Sequence, residues 1–117
     1  MSTLLDRVTD LNDSILEGRA LEAFEKYYHN DVVMQENAAQ PTVGKDANRT
    51  REEEFFGNVT EFRGAKLLKV AIGENVSISE WHYDYTHKEW GVCDYDLVAV
   101  QEWKDDQIIN ERFYYTL

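Results

Sequence analysis

Apolar residues recur at Leu4, Val8, Leu11 and Ile15, a spacing of three to four that predicts an amphipathic helix. Thr3 is placed to cap its start and Gly18 to end it. A second, shorter helix carries Leu21, Phe24 and Tyr28 on one face and stops near Asn30. The apolar run at 32–36 reads as a strand whose alternation puts Glu36 on the side of Val32 and Met34. After Pro41, Asp46 can cap a third helix running through Ala47, Arg51 and Phe55 to Gly57-Asn58. Within it, Arg51-Glu52-Glu53-Glu54 reads as a solvated face.

From residue 64 onward the period changes to two. The segments GAKLLKVAIG, NVSISEWHYDYTHK, VCDYDLVAVQEWK and QIINERFYYTL are rich in β-branched and aromatic residues and separated by turn signals. Three-residue loops at Glu89-Trp90-Gly91 and Lys104-Asp105-Asp106, with Gly91 and Asp106 left-handed, predict a register. It sets Tyr85 opposite Tyr95, Trp81 opposite Ala99, Ala99 opposite Glu111 and Leu97 opposite Phe113. One face then carries Trp81, Tyr83, Tyr85, His87, Tyr95, Leu97, Trp103, Ile109, Phe113 and Tyr115. The other carries Glu80, His82, Asp84, Asp94, Asp96, Glu102 and Arg112, with Ile78, Val98, Val100 and Ile108 among them. Helices first and an antiparallel sheet after, one face aromatic, describe an α+β fold with the helices on the aromatic side.

Length and charge narrow the function classes. The 117 residues suit a single domain spanning 1–117. A net charge of −11 repels nucleic acid and anionic membrane surfaces, so neither is an expected partner. No stretch has the pattern of a signal peptide or a membrane span. Cys93, the only cysteine, excludes an intrachain disulfide and suits a reducing, cytoplasmic compartment. It reads as a buried, inert thiol.

The strand DVVMQEN, the segment PTVGKDA leading into the third helix, and the closing QEWKDDQIINERFYY come in the order of a known superfamily. In these features the chain resembles the nuclear transport factor 2-like superfamily and, within it, the SnoaL-like group. The resemblance covers nearly the whole chain and implies a strongly curved, mixed but mainly antiparallel sheet wrapped into a cone around three helices, with a cavity between. Relatives include ketosteroid isomerase, limonene epoxide hydrolase, scytalone dehydratase and polyketide cyclases. The isomerase base falls near Glu36, but the isomerase oxyanion donors fall near Leu11 and Ala99, which cannot donate. The epoxide hydrolase residues fall near Trp81, Tyr83 and Phe113. Of the histidines a dehydratase needs, only His87 lies on the aromatic face.

Two acids therefore lead the candidates for chemistry. Glu36 and Glu111 can face the cavity as acid or base, their charged forms disfavoured by burial. Alternatively Glu36 surfaces at its strand end and Glu111 meets Arg51 or Arg63. For Glu36 the expectation is a cavity position without a cationic partner. The pocket wall is expected from Met34, Trp81, Tyr83, Tyr85, Tyr95, Leu97, Gln101, Trp103, Phe113 and Tyr115, whose polar tips need partners. His82 with Asp84, Asp94 and Asp96 reads as a solvated acidic face, and His29 as a helix C-terminal cation. No metal and no cofactor are expected. The function is a small-molecule pocket: an isomerase, cyclase or dehydratase acting on an apolar or aromatic substrate with Glu36 as acid or base and Tyr83, Gln101 or Glu111 as polar partners, or a non-catalytic binding or dimerisation module. Ile78, Val98, Val100 and Ile108 predict a homodimer through the outer sheet face.

Overall fold

The computed structural model describes residues 3–116. Helix α1, Leu4–Leu16, starts on a capping box in which the Thr3 hydroxyl accepts the Asp6 N–H and Asp6 accepts the Thr3 N–H. Its apolar stripe buries Val8 and Leu11. Gly18, at φ +80°, turns the chain into α2, Ala20–Tyr27. This second helix ends earlier than its periodicity predicts. Tyr28 is already the first residue of β1, Tyr28–Glu36, paired with Ile108, and His29 lies in that strand with its Nδ1 accepting the Asp31 N–H. Pairing with a neighbouring strand outweighs the local helical spacing there. The buried face of α2 is Ala23, Phe24 and Tyr27, with Leu21 exposed.

A two-residue strand β2, Thr42–Val43, leads to α3, Lys45–Gly57. Gly44, not Asp46, occupies the N-cap position, at φ +98°, and no side chain caps the helix. Asp46 instead pairs with Arg49 at 2.7 Å. Asn48, fully buried, donates through Nδ2 to the carbonyls of Thr42 and Gly44, anchoring α3 to the loop before it.

The long strands β3 (Val59–Gly73), β4 (Val76–His87), β5 (Gly91–Lys104) and β6 (Gln107–Tyr115) complete a six-stranded sheet in the order β2-β1-β6-β5-β4-β3. Only β1 and β6 run parallel; the other pairs are antiparallel. Three register shifts between β3 and β4 bend that ribbon, as bulges do.

Both hairpin registers differ from expectation by two residues. Tyr83, not Tyr85, faces Tyr95, and Trp81 faces Leu97, because His87 pairs directly with Gly91 across the turn. In the next hairpin Asp105 takes the left-handed place (φ +56°), leaving a two-residue turn, and Glu111 faces Gln101 rather than Ala99. A shift of two keeps every side chain on its face, so the aromatic side stays aromatic. The exception lies at the start of β6. Trp103 pairs with Ile108 and Glu102 with Asn110, so Ile109 is an extra residue and the alternation reverses before it. Ile108 is therefore fully buried in the core with Val8, Phe24 and Val32, and does not belong to the outer face.

The core has two parts on the helix side of the sheet. One gathers α1, α2, β1 and the β5–β6 turn; the other centres on Trp81, Leu97 and Ala99. The outer face carries charge: Arg63 holds Asp84 at 2.8 Å, and His82 bridges Asp94 and Asp96 at 2.6 Å each. Those carboxylates raise the His82 pKa, the Asp96 hydrogen bond first. Among the described residues no group of three or more His, Cys, Asp or Glu converges to hold a metal, and no helix is long and apolar enough to cross a membrane.

Candidate functional site

Between the helices and the aromatic face lies an open cavity of about 1100 Å³. Trp81, Tyr83, Tyr85, Tyr95 and Leu97 form its sheet wall, with Met34, Gln101 and Phe113 deeper along β1, β5 and β6. Two residues expected on that wall lie off it. Trp103 sits in the helix-packed core, edge-on to Tyr27, because it lies beyond the bulge, level with α1 and α2. Tyr115 stands behind the wall, leaning on Tyr95 with ring centroids 5.3 Å apart. Cys93 is buried opposite Tyr85, its thiol directed at the Gly91 carbonyl.

Glu111 projects from β6 at the inner end of the cavity and is only 2% exposed. It has no cationic partner. Its Oε1 accepts the Tyr28 hydroxyl at 2.6 Å and its Oε2 accepts the Gln101 Nε2–H at 2.6 Å. The direction of that second bond is fixed from further out. The Trp103 indole can only donate, and does so to Ser77 Oγ at 2.9 Å. Ser77 therefore gives its own proton to Gln101 Oε1, at 2.7 Å, leaving the Gln101 amide N–H to face Glu111. Trp103 thus serves the site as the start of this chain. Burial pushes the Glu111 carboxyl up to about 7, against the lowering pull of Tyr28 and then Gln101.

The arginine considered for Glu111 goes to Glu36 instead. Arg51 Nη2 meets Glu36 Oε2 at 2.6 Å and Nη1 donates to Thr42 Oγ1, while Tyr115 donates its hydroxyl to Glu36 Oε1 at 2.9 Å. The side chains of Glu36 and Arg51 are 39% and 45% exposed. Glu36 borders the cavity, as expected, but as half of an ion pair. The expectation that it lacks a cation is corrected: α3 passes β1 with Arg51 one turn beyond Ala47 and within reach of the strand end.

A third acid was hidden in the sequence. Glu52 borders the cavity from α3 and has no hydrogen-bond or ionic partner among the described residues. Its side chain is half-buried, and its carboxyl oxygens keep accessible surface where they meet the hollow. Burial first, then the nearby Glu111 and Glu36 charges, push it up to about 7 against a weaker lowering pull from Arg51. The signal that locates it is helical spacing. Asn48, Glu52 and Phe55 fall four and three residues apart, on one face of α3. Tyr83 also presents a hydroxyl without a hydrogen-bond partner among the described residues, and burial together with Glu111 holds it well above the ordinary tyrosine range. Leu11 and Ala99, where the resemblance would put the oxyanion donors of ketosteroid isomerases, are apolar wall.

What the arrangement can do chemically is hold an apolar molecule of moderate size against aromatic rings, with two proton-exchanging carboxyls and a neutral phenol beside it.

Comparison with known proteins agrees with the fold. A protein from Mesorhizobium loti, described as a candidate SnoaL-like polyketide cyclase, superposes with a TM-score of 0.88 at 24% identity, over 97% of this chain and all of that one. An NTF2-like protein of unknown function from Burkholderia pseudomallei gives 0.82 at 11% identity, covering 99% of this chain and 92% of the other. A ketosteroid isomerase-like fold from Catenulispora acidiphila, solved in complex with trimethylamine, gives 0.78 at 13% identity, covering 98% and 88%. Among curated proteins none matches. The family model of the SnoaL-like domain matches residues 2–115, so the chain belongs to the SnoaL-like domain family.

Proposed function

We propose that the protein binds a small apolar or aromatic organic molecule and moves a proton on it, as an isomerase, cyclase or dehydratase does, with Glu111 as the acid–base group. The observation that carries this reading is a buried carboxyl at the cavity end with two hydrogen-bond donors and no cation. A group titrating at about 7 is divided between acid and base near neutral pH, which favours transfer in both directions. The ionised form takes a proton from carbon. The acid form returns it at another carbon, or gives it to a departing hydroxyl. Negative charge developing on a substrate oxygen needs a donor, and the neutral Tyr83 hydroxyl supplies one from the wall. Glu36, tied to Arg51 and Tyr115, shapes the cavity rather than carrying the proton.

The test uses carbon acids. Aromatic and alicyclic ketones that bind by NMR are incubated with the protein in deuterium oxide, and exchange at the carbon next to the carbonyl is followed. The expected result is accelerated exchange with an inflection near pH 7, reduced about 100-fold or more in Glu111→Gln. Binding with no accelerated exchange, or exchange indifferent to Glu111→Gln, would make the protein a binding module.

For assembly and location the same reading takes a homodimer in the cytoplasm. Its interface is the outer sheet face, where Ile78 is 39% exposed and Val98 and Val100 are half-buried beside it. Light scattering at micromolar concentration tests the dimer, and a monomer mass contradicts it.

A further inference from the structure

The charges bordering the cavity do not balance. Eight glutamates line it against two arginines, among the described residues. Arg51 is committed to Glu36. Arg19, at the mouth, is committed to Glu17 at 2.9 Å and Glu22 at 3.8 Å. Inside, this leaves Glu52 and Glu111 outside any ion pair among the described residues, and at the mouth Glu54 and Glu89, while Glu61 is held by Arg63 at 3.2 Å. The inner pair stands in an apolar, aromatic environment: Trp81 stacks on Tyr83 with centroids 5.5 Å apart, and Tyr28 stacks on Phe24 at 4.7 Å.

The two inner acids differ in what they lack. Glu111 is satisfied as a hydrogen-bond acceptor and lacks only a countercharge. Glu52 lacks both: no donor from the described residues reaches its carboxyl, whose oxygens stay open to the hollow. A carboxyl in an aromatic hollow that no donor of the chain satisfies is left to what enters the hollow, water or ligand. No basic side chain forms an ion pair with Glu52 or Glu111 among the described residues, so a ligand with a positive charge meets two carboxyls without a salt-bridge partner.

We propose that the cavity accepts an organic cation, a protonated or quaternary amine on an apolar or aromatic body, whose charge is taken up by Glu52 and Glu111 and by the aromatic wall. The inference deepens the small-molecule reading above by naming its substrate class, and it rests on that reading only for the cavity being a ligand site. Aromatic faces attract cations, most strongly where water is thin. A ligand cation between carboxyls that both resist ionising lets both carry charge, so cation affinity exceeds that of an uncharged molecule of equal shape. The acidic mouth adds attraction at a distance and repels anions such as carboxylates and phosphates.

The experiment compares benzyltrimethylammonium with its uncharged carbon isostere, neopentylbenzene, by ligand-observed NMR titration at pH 7.5 and fixed salt. The wild-type protein is expected to prefer the cation by about 10-fold or more. Glu52→Gln, which keeps the shape and removes no hydrogen bond, should bring that preference close to parity while neopentylbenzene binds as before. Glu54→Gln at the mouth should leave most of the preference and weaken only its salt dependence. Equal binding of the two probes, binding of neither, or a preference untouched by Glu52→Gln overturns the proposal. The carbon-exchange assay separates the two readings: exchange without cation preference sinks this inference alone, and cation preference without exchange sinks only the catalytic role of Glu111.

Discussion

Glu36 and Glu111 lie on adjacent parallel strands, on the same face of the sheet and two residues apart in register: Met34 is the partner of Glu111, and Phe113 the partner of Glu36. Their chemistry is the same and their surroundings are opposite. Glu36 sits at the end of its strand, where Arg51 reaches it and water reaches both. Glu111 sits one pleat deeper, enclosed, held by a phenol and an amide. The first region holds its charge with another charge. The second offers hydrogen bonds but no countercharge, and burial then decides the protonation state. Two residues of depth separate a structural ion pair from a group suited to proton transfer.

The comparison can be broken most forcefully by removing each carboxyl. Glu111→Leu leaves the Tyr28 hydroxyl and the Gln101 amide without an acceptor, a loss of about 4 kcal/mol at pH 5 at one to three per orphaned group. Glu36→Leu, in an exposed pair, should cost under about 1 kcal/mol. Urea denaturation of the two variants reads the contrast, and equal losses would erase it.

Glu111→Gln sharpens it through pH. The folded-state pKa of Glu111 is raised, to about 7 from the ordinary 4.5, so its contribution is fully present below about pH 4.5 and is lost as pH rises through 7. That gap is worth about 3 kcal/mol by pH 8. Gln has no such titration, so the stability of the variant relative to wild type should rise by up to about 3 kcal/mol between pH 4.5 and 8. Melting curves across that range show it, and parallel wild-type and variant profiles would contradict it.

The sequence marks these acids unevenly. Glu111 is legible because strict alternation places a carboxyl among aromatic residues on a strand, where few roles are open to it. Its partners are not: Gln101 meets it through a register that depends on whether Asp105 or Asp106 goes left-handed, a choice of turn conformation that both residues tolerate. Ile108 turned inward because of a one-residue bulge, which leaves no mark in the hydrophobic pattern. Tyr28 looked helical by spacing, and only pairing with β6 makes it a strand residue. Glu52 was masked by its neighbours, since three consecutive glutamates read as solvated unless one follows the face of Asn48 and Phe55. The order of the helices and the five longer strands was legible because period sets it, whereas the two-residue strand β2 was not, since two residues carry no period.

Smaller effects probe the supports of the two regions. Ser77→Ala breaks the chain from Trp103 to Gln101 and should cost about 2 kcal/mol, since both buried partners lose a bond. It also frees the Gln101 amide to turn, so Glu111 should titrate higher still. Arg51→Met should cost under about 1 kcal/mol, with the difference from wild type shrinking as salt is added. Chemical denaturation at two salt concentrations measures both variants; an Arg51→Met loss larger than that of Ser77→Ala would reverse the ranking of the two regions.

The protonation state of Glu111 carries the account, and carbon-detected NMR of the glutamate side-chain carboxyls, assigned with Glu111→Gln, observes it directly. The predicted result is a Glu111 carboxyl resonance that moves with a midpoint near pH 7. A midpoint near 4.5 would mean that Tyr28 and Gln101 fully offset the burial of the charge, and the acid–base role assigned to Glu111 would fall with it.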